Sequence, residues 1–87
     1  MTEKYFVYVS THIRKSLLKI PSPWIERIEK AIDALELNPY FGEKMNGDMS
    51  HSRKIKVWPY RIIYKIEKKE RVIKITEASH RGGMSYR

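Results

Sequence analysis

The chain contains no cysteine. That excludes a disulfide, a thiolate nucleophile and a cysteine-held zinc ion, and it makes a reducing compartment, by default the cytoplasm, the expected setting. Long apolar runs are missing too. No stretch approaches the roughly 18 consecutive apolar residues of a membrane span, and the opening Met1-Thr2-Glu3-Lys4-Tyr5 lacks the basic and apolar segments of a secretory signal. A soluble protein with no membrane partner is expected. There is also no internal repeat, low-complexity tract or linker, so the 87 residues are expected to form one small domain, residues 1–87. A chain of this size hides about 60–65% of its unfolded surface, so every apolar stripe must share one core.

What the chain has in excess is positive charge, 18 Lys and Arg against 10 Asp and Glu for a net of +8. The excess is concentrated. Residues 51–87 hold 11 Lys and Arg against three Glu, whereas residues 1–50 hold seven against seven. Such a surplus raises affinity for polyanions and speeds encounter with them, but it says nothing about fold. Basic residues at strand-like spacing with tyrosines beside them point more narrowly to RNA.

Residues 4–9 are aromatic and β-branched, which predicts a first strand, and Ser10-Thr11 offers hydroxyls to cap a helix. In residues 12–20, Ile13, Leu17 and Ile20 make one apolar stripe, which Pro21 ends. A second helix is predicted with Ser22 as N-cap and Pro23 at the first helical position. Trp24, Ile25, Ile28, Ala31, Ile32 and Leu35 form its buried stripe, Glu26→Lys30 an i,i+4 pair, and Asn38-Pro39 its end. Residues 40–52 lose periodicity and contain Gly42, Asn46, Gly47 and Asp48, so a surface loop is expected, with Met45 and Met49 tucked against the core edge. Three β-rich runs follow, residues 53–58, 60–67 and 72–78, reading as an antiparallel meander. The predicted order is β-α-α-β-β-β.

Alternation along a strand sends successive side chains to opposite faces. In residues 53–58, Ile55 and Val57 oppose Lys54, Lys56 and Trp58. In residues 60–67, Tyr60, Ile62, Tyr64 and Ile66 oppose Arg61, Ile63 and Lys65. If the helices cover one set, the other forms a basic face on which Lys54, Lys56 and Arg61 are neighbours, with Arg81 and Tyr86 of the tail at its rim. No carboxylate cluster is expected on that face.

Cleaving RNA by its own 2′-OH requires removing that proton, stabilising the charge of the phosphorane and protonating the leaving 5′-oxygen. Clustered lysines repel one another, which favours a neutral amine able to accept a proton, so Lys54 or Lys56 is the candidate base. Arg61 and Arg81 stay charged and fork onto phosphate oxygens. Tyr86 is placed to stack on a splayed base or orient the ribose. His80 is an alternative proton carrier, since the ordinary histidine pKa is about 6.5. The scheme uses neither metal nor cofactor. Each residue also has a plainer reading: Lys54 and Lys56 as edge-strand charges that discourage aggregation, Arg61 as cover for the sheet, His80 as a surface residue, and Trp58 as packing at a strand end.

These residues together resemble the RelE/ParE toxin superfamily over nearly the full length: Asn38-Pro39 after a helical hairpin, Arg53-Lys54-Ile55-Lys56, the block Pro59-Tyr60-Arg61-Ile62-Ile63-Tyr64, then His80-Arg81 and Tyr86. The resemblance implies an α+β fold, a small curved antiparallel sheet with the helical hairpin on one face. It implies the toxin of a type II toxin–antitoxin system, closest in motif to RelE-like mRNA interferases, with Lys54, Lys56, Arg61, Arg81 and Tyr86 at the functional positions. A Pro stands where Gly is common before Tyr60-Arg61, and the tail spacing varies. The implied partners are a cognate antitoxin, the ribosome and its mRNA, and operator DNA through the antitoxin complex. The same scaffold also implies an alternative, a ParE-like gyrase inhibitor without nuclease activity, and a further one, an inactive or regulatory member.

Overall fold

The structure, a computed structural model, describes residues 4–45, 47 and 51–80. The first strand, β1 (Phe6–Val9), leads directly into helix α1 (Thr11–Leu18). Ser10 makes this turn possible: its extended backbone ends the strand, and its hydroxyl accepts the Ile13 amide at 3.3 Å. That bond satisfies one of the helix's otherwise orphaned donors. Ile13 is the buried residue of α1.

Helix α2 (Trp24–Ala34) starts one residue later than its sequence predicts. Pro23 occupies the N-cap and makes no side-chain capping bond. Ser22, now one position outside the cap, donates its hydroxyl to Glu26 Oε2 at 2.8 Å. Glu26 is thereby engaged by Ser22 rather than by Lys30, and its charge still lies in the first turn, where the helix dipole favours it. Ile28, Ile32 and Leu35 are buried, as the amphipathic stripe requires. Among the described residues no helix is long and apolar enough to cross a membrane.

The remaining strands are β2 (Glu43–Lys44), β3 (Ser52–Val57), β4 (Tyr60–Glu67) and β5 (Val72–His80), and the sheet order is β1-β5-β4-β3-β2. Strands β2 to β5 pair antiparallel, and β1 joins the outer edge of β5 in parallel. This α+β arrangement is the expected one, with the sheet mixed rather than wholly antiparallel. The helical hairpin carries the chain across one face before it re-enters the sheet at the far edge, so β1 and β5 run the same way. Ile13, Ile28, Ile32, Ile55, Ile62, Tyr64, Ile73 and Ile75 belong to one apolar cluster between helices and sheet. The opposite face of the sheet is not covered by either helix.

The region read as loop contains β2. The cause lies in Tyr64, which is fully buried. Its hydroxyl donates to the Pro39 carbonyl at 2.8 Å and accepts the Gly42 amide at 2.9 Å. Arg53 Nε donates to the Gly42 carbonyl at 2.9 Å, and its guanidinium lies 5.3 Å from the Tyr40 ring centroid. A Cβ at Gly42 would meet Tyr64 Oη at 2.8 Å and the Lys54 carbonyl at 2.7 Å, so only glycine fits there. These contacts draw residues 43 and 44 onto β3, pairing Glu43 with Lys54 and Lys44 with Arg53. Met45 is half-buried beside them; Met49 lies outside the described residues.

One irregularity decides which residues face outward. Ile63 pairs with Glu77 but Tyr64 pairs with Ile75, so Thr76 is an extra residue in β5, a β-bulge. Its hydroxyl donates to the Ile63 carbonyl at 3.1 Å. Uninterrupted alternation from Ile73 and Ile75 would put Glu77 and Ser79 beneath the helices. The bulge reverses the parity, and Ala78 and His80 take that side instead.

Candidate functional site

The open face is built in rows, because residues paired across neighbouring strands share a side. Lys56 of β3, Arg61 of β4 and Ser79 of β5 form one row. Lys54, Ile63 and Glu77 form the next, extended by Glu43 of β2. Lys65 and Lys74 follow. The face is therefore cationic, and the structure brings Lys54, Lys56 and Arg61 together on it.

The face also carries two single carboxylates, Glu43 and Glu77, at opposite ends of one row and three strands apart. Glu43 Oε1 lies 3.9 Å from Lys56 Nζ. Glu77 Oε2 lies 3.5 Å from Arg61 Nη2 and accepts the Ser79 hydroxyl at 2.7 Å. Two of the three candidate cations thus face an internal anion. Neither glutamate is visible to strand alternation: Glu43 sits in a segment without periodicity, and Glu77 reaches this face only through the bulge at Thr76. The one advance signal for Glu43 was its place directly after Gly42. Both ion pairs are substantially exposed, with side-chain exposures of 39% to 64%, so solvent and salt hold each to about 0.2–1 kcal/mol. They bias the cations without locking them. Arg61 Nε, by contrast, is closed to solvent and makes no hydrogen bond among the described residues.

His80 is placed elsewhere. It pairs with Tyr60, and the two rings meet edge to face with centroids 5.2 Å apart. Tyr60 in turn lies 6.3 Å from Trp24 of α2 and packs against the core. His80 is therefore on the helix side of the sheet, which separates it from Lys54, Lys56 and Arg61. The reason is again the bulge, without which His80 would face the open side. Arg81 and Tyr86 lie outside the described residues.

Trp58 departs from the packing expected of it. It stands at the β3–β4 turn beside Pro59 and is 71% exposed, at the Lys56–Arg61 end of the sheet. Burial pushes the Tyr64 hydroxyl above its ordinary pKa, opposed by the Gly42 amide and by Arg53. This tyrosine is a structural support: it fixes Gly42 and so holds Glu43 opposite Lys54. Chemically, the arrangement offers cations at fixed spacing and an exposed aromatic, the components of a polyanion site.

Comparison with known proteins agrees with this architecture. The family model of the ParE toxin of type II toxin–antitoxin systems, parDE, matches residues 7–83. No curated protein matches the sequence. Among solved structures, the isolated RelE toxin of E. coli superposes with a TM-score of 0.80 at 22% identity, covering 92% of this chain and 87% of that one. The toxin–antitoxin complex RelBE2 of Mycobacterium tuberculosis gives 0.78 at 21% identity, covering 90% and 99%. The archaeal RelE–RelB complex of Pyrococcus horikoshii gives 0.72 at 26% identity, covering 91% and 97%. Those likenesses concern the fold, whereas the family model spans most of the sequence itself. A helical hairpin over one face of a sheet and a cationic opposite face are thus features of a chain that belongs to the RelE/ParE superfamily, the toxins of type II toxin–antitoxin systems.

Proposed function

We propose that this toxin is a metal-independent endoribonuclease that cleaves mRNA on the ribosome and so inhibits translation. The observation that carries the reading is the convergence of Lys54, Lys56 and Arg61 on the face of the sheet that the helices do not cover. The 2′-oxygen attacks the adjacent phosphorus, the bond to the 5′-oxygen breaks, and the products are a 2′,3′-cyclic phosphate and a 5′-hydroxyl. One of Lys54 and Lys56 accepts the 2′-OH proton, and the other, as its ammonium, donates a proton to the leaving 5′-oxygen. Arg61 meets the phosphorane oxygens, and its interaction strengthens as charge builds. Arg81 and Tyr86 complete the set from the tail, as an anion clamp and a base-stacking ring. His80, on the helix side, supports Tyr60 instead of carrying a proton.

A cognate antitoxin is the second element of the proposal, supported by the solved RelE–RelB complex among the similar structures. It would silence the toxin by occupying the cationic face, for which acidic residues are suited.

Primer extension on translating ribosomes tests the reading. The wild type is expected to cut message, and Lys56→Ala and Arg61→Ala to lose that cleavage; undiminished cutting by both variants overturns the site. The alternative, a gyrase inhibitor, is favoured by the match to the ParE toxin model. A supercoiling assay separates the two: gyrase inhibition with no cut message replaces the nuclease reading. If induction of the chain without its partner leaves growth untouched, an inactive or regulatory member is the correct description.

A further inference from the structure

Beyond the row of Lys56 and Arg61, the open face carries a second basic row that the cleavage scheme leaves unused. β4 supplies Lys65, β5 supplies Lys74 and β1 supplies Tyr8, at adjacent register positions on one side of the sheet. Phe6 lies two residues from Tyr8 on the same side, paired with Val72. Both lysines are exposed, and neither joins the ion pairs that engage Lys56 and Arg61. Tyr8 is 51% and Phe6 68% exposed. The intervening Val7 and Val9 already pack against the core, so the two rings are not needed to hold β1 in place.

Exposed aromatic rings beside lysines that make no ion pair among the described residues are the combination that binds an unpaired nucleic-acid strand: a base stacks on the ring while the cations meet the flanking phosphates. A duplex hides its base faces and has no use for the rings. An acidic peptide would satisfy the lysines and leave the rings idle. We propose that Tyr8, with Lys74 and Lys65 and with Phe6 behind it, is a stacking subsite for a base of single-stranded RNA. This inference rests on the nuclease reading for the identity of the strand, and it assigns the strand's course away from the Lys56–Arg61 row. Arg61 and Lys65 are about 13 Å apart along β4, and β4 lies two strand spacings, about 10 Å, from β1, so a strand occupying both ends crosses the sheet diagonally over roughly 16 Å.

The test uses the full-length protein and a 12-nucleotide single-stranded RNA carrying 2′-deoxy sugars at alternate positions and 4-thiouridine at single sites, with binding read by fluorescence anisotropy. Tyr8→Ala is expected to weaken binding about 5- to 150-fold, with recovery in Tyr8→Phe, because stacking needs the ring and not the hydroxyl. The Lys65→Ala/Lys74→Ala pair is expected to lower the slope of log affinity against log salt by about 1.4, from two lost phosphate contacts. Cross-linking by near-ultraviolet light is expected to attach the thiouridine to the peptide bearing Tyr8. The proposal is overturned if Tyr8→Ala binds as the wild type does, or if a duplex RNA of equal length loses as much as the single strand. It is also overturned if the Tyr8 ring proves to mediate self-association or acidic-peptide binding with no RNA cross-link. These outcomes are separate from those of the nuclease reading. A chain that cuts no message but cross-links through Tyr8 loses only the catalytic assignment, while one that cuts message with no cross-link loses only the subsite.

Discussion

The two faces of β4 divide the labour of the molecule along a single eight-residue strand (Tyr60–Glu67). On one side Ile62 and Tyr64 are fully enclosed, and Tyr60 and Ile66 pack beside them under the helices. On the other, Arg61 and Lys65 meet solvent, and between them Ile63, though only 3% exposed, lies outside the core cluster. Neighbouring residues thus experience opposite physics. Changes on the helix side alter how well the chain folds, whereas changes on the open side alter what a correctly folded chain binds.

The comparison is sharpest where it predicts opposite outcomes for adjacent residues. Ile62→Ala empties a fully buried site and is expected to cost about 2–5 kcal/mol, read from denaturant unfolding. Next door, Arg61→Ala is expected to reduce message cleavage about 100- to 1,000-fold while its unfolding midpoint stays close to that of the wild type. If Arg61→Ala unfolds as readily as Ile62→Ala, the separation of roles fails.

Tyr64→Phe probes the link between the faces, because Tyr64 lies in the core and its hydroxyl fixes the segment that presents Glu43. Loss of the hydroxyl leaves the Pro39 carbonyl and the Gly42 amide without a partner, for an expected cost of about 1–3 kcal/mol. The alkaline limb gives a second signature. The folded-state pKa of Tyr64 lies above the ordinary 10.0. Its contribution is therefore complete below about pH 10 and is lost as pH rises through the higher folded value. Stability measured from pH 9 upward is expected to fall less in Tyr64→Phe than in the wild type, and an unchanged slope would remove Tyr64 as the cause.

The smallest effect belongs to the internal anions. Glu77→Gln keeps the shape of the side chain and removes its charge, freeing Arg61. Affinity for a single-stranded oligonucleotide is expected to rise about 1.4- to 5-fold at low salt, the equivalent of an exposed ion pair, with the gain fading as salt screens the site. A fall in affinity instead would mean that Glu77 orients Arg61 for the phosphate rather than competing with it.

Much of this division was legible from residue order. The alternation Tyr60, Ile62, Tyr64, Ile66 against Arg61, Ile63, Lys65 gave both faces of β4, and Ser10 gave the turn from strand into helix. Trp24 to Leu35 gave the buried stripe of α2 but not its bounds: the N-cap falls on Pro23 rather than Ser22, and the helix ends at Ala34 rather than at Asn38-Pro39. The candidates Lys54, Lys56 and Arg61 were placed on one face by the same alternation. What escaped were features made by contacts distant in sequence. β2 exists because Tyr64 reaches back over 22 residues to Gly42, and Trp58 is exposed because its turn projects beyond the core.

His80 and Glu77 mark where reading residue order stops. Local chemistry is sufficient for β1, β3, β4 and β5, for both helices and for the cationic character of the last 37 residues, because propensity, periodicity and charge depend on near neighbours alone. Which side of β5 each residue takes depends on the extra residue at Thr76, and a bulge is defined only by the strand it faces. The tertiary pairing of β5 with β4 therefore put Glu77 beside Arg61, sent His80 to the helices, and set β1 parallel to β5 so that Tyr8 lines up with Lys74.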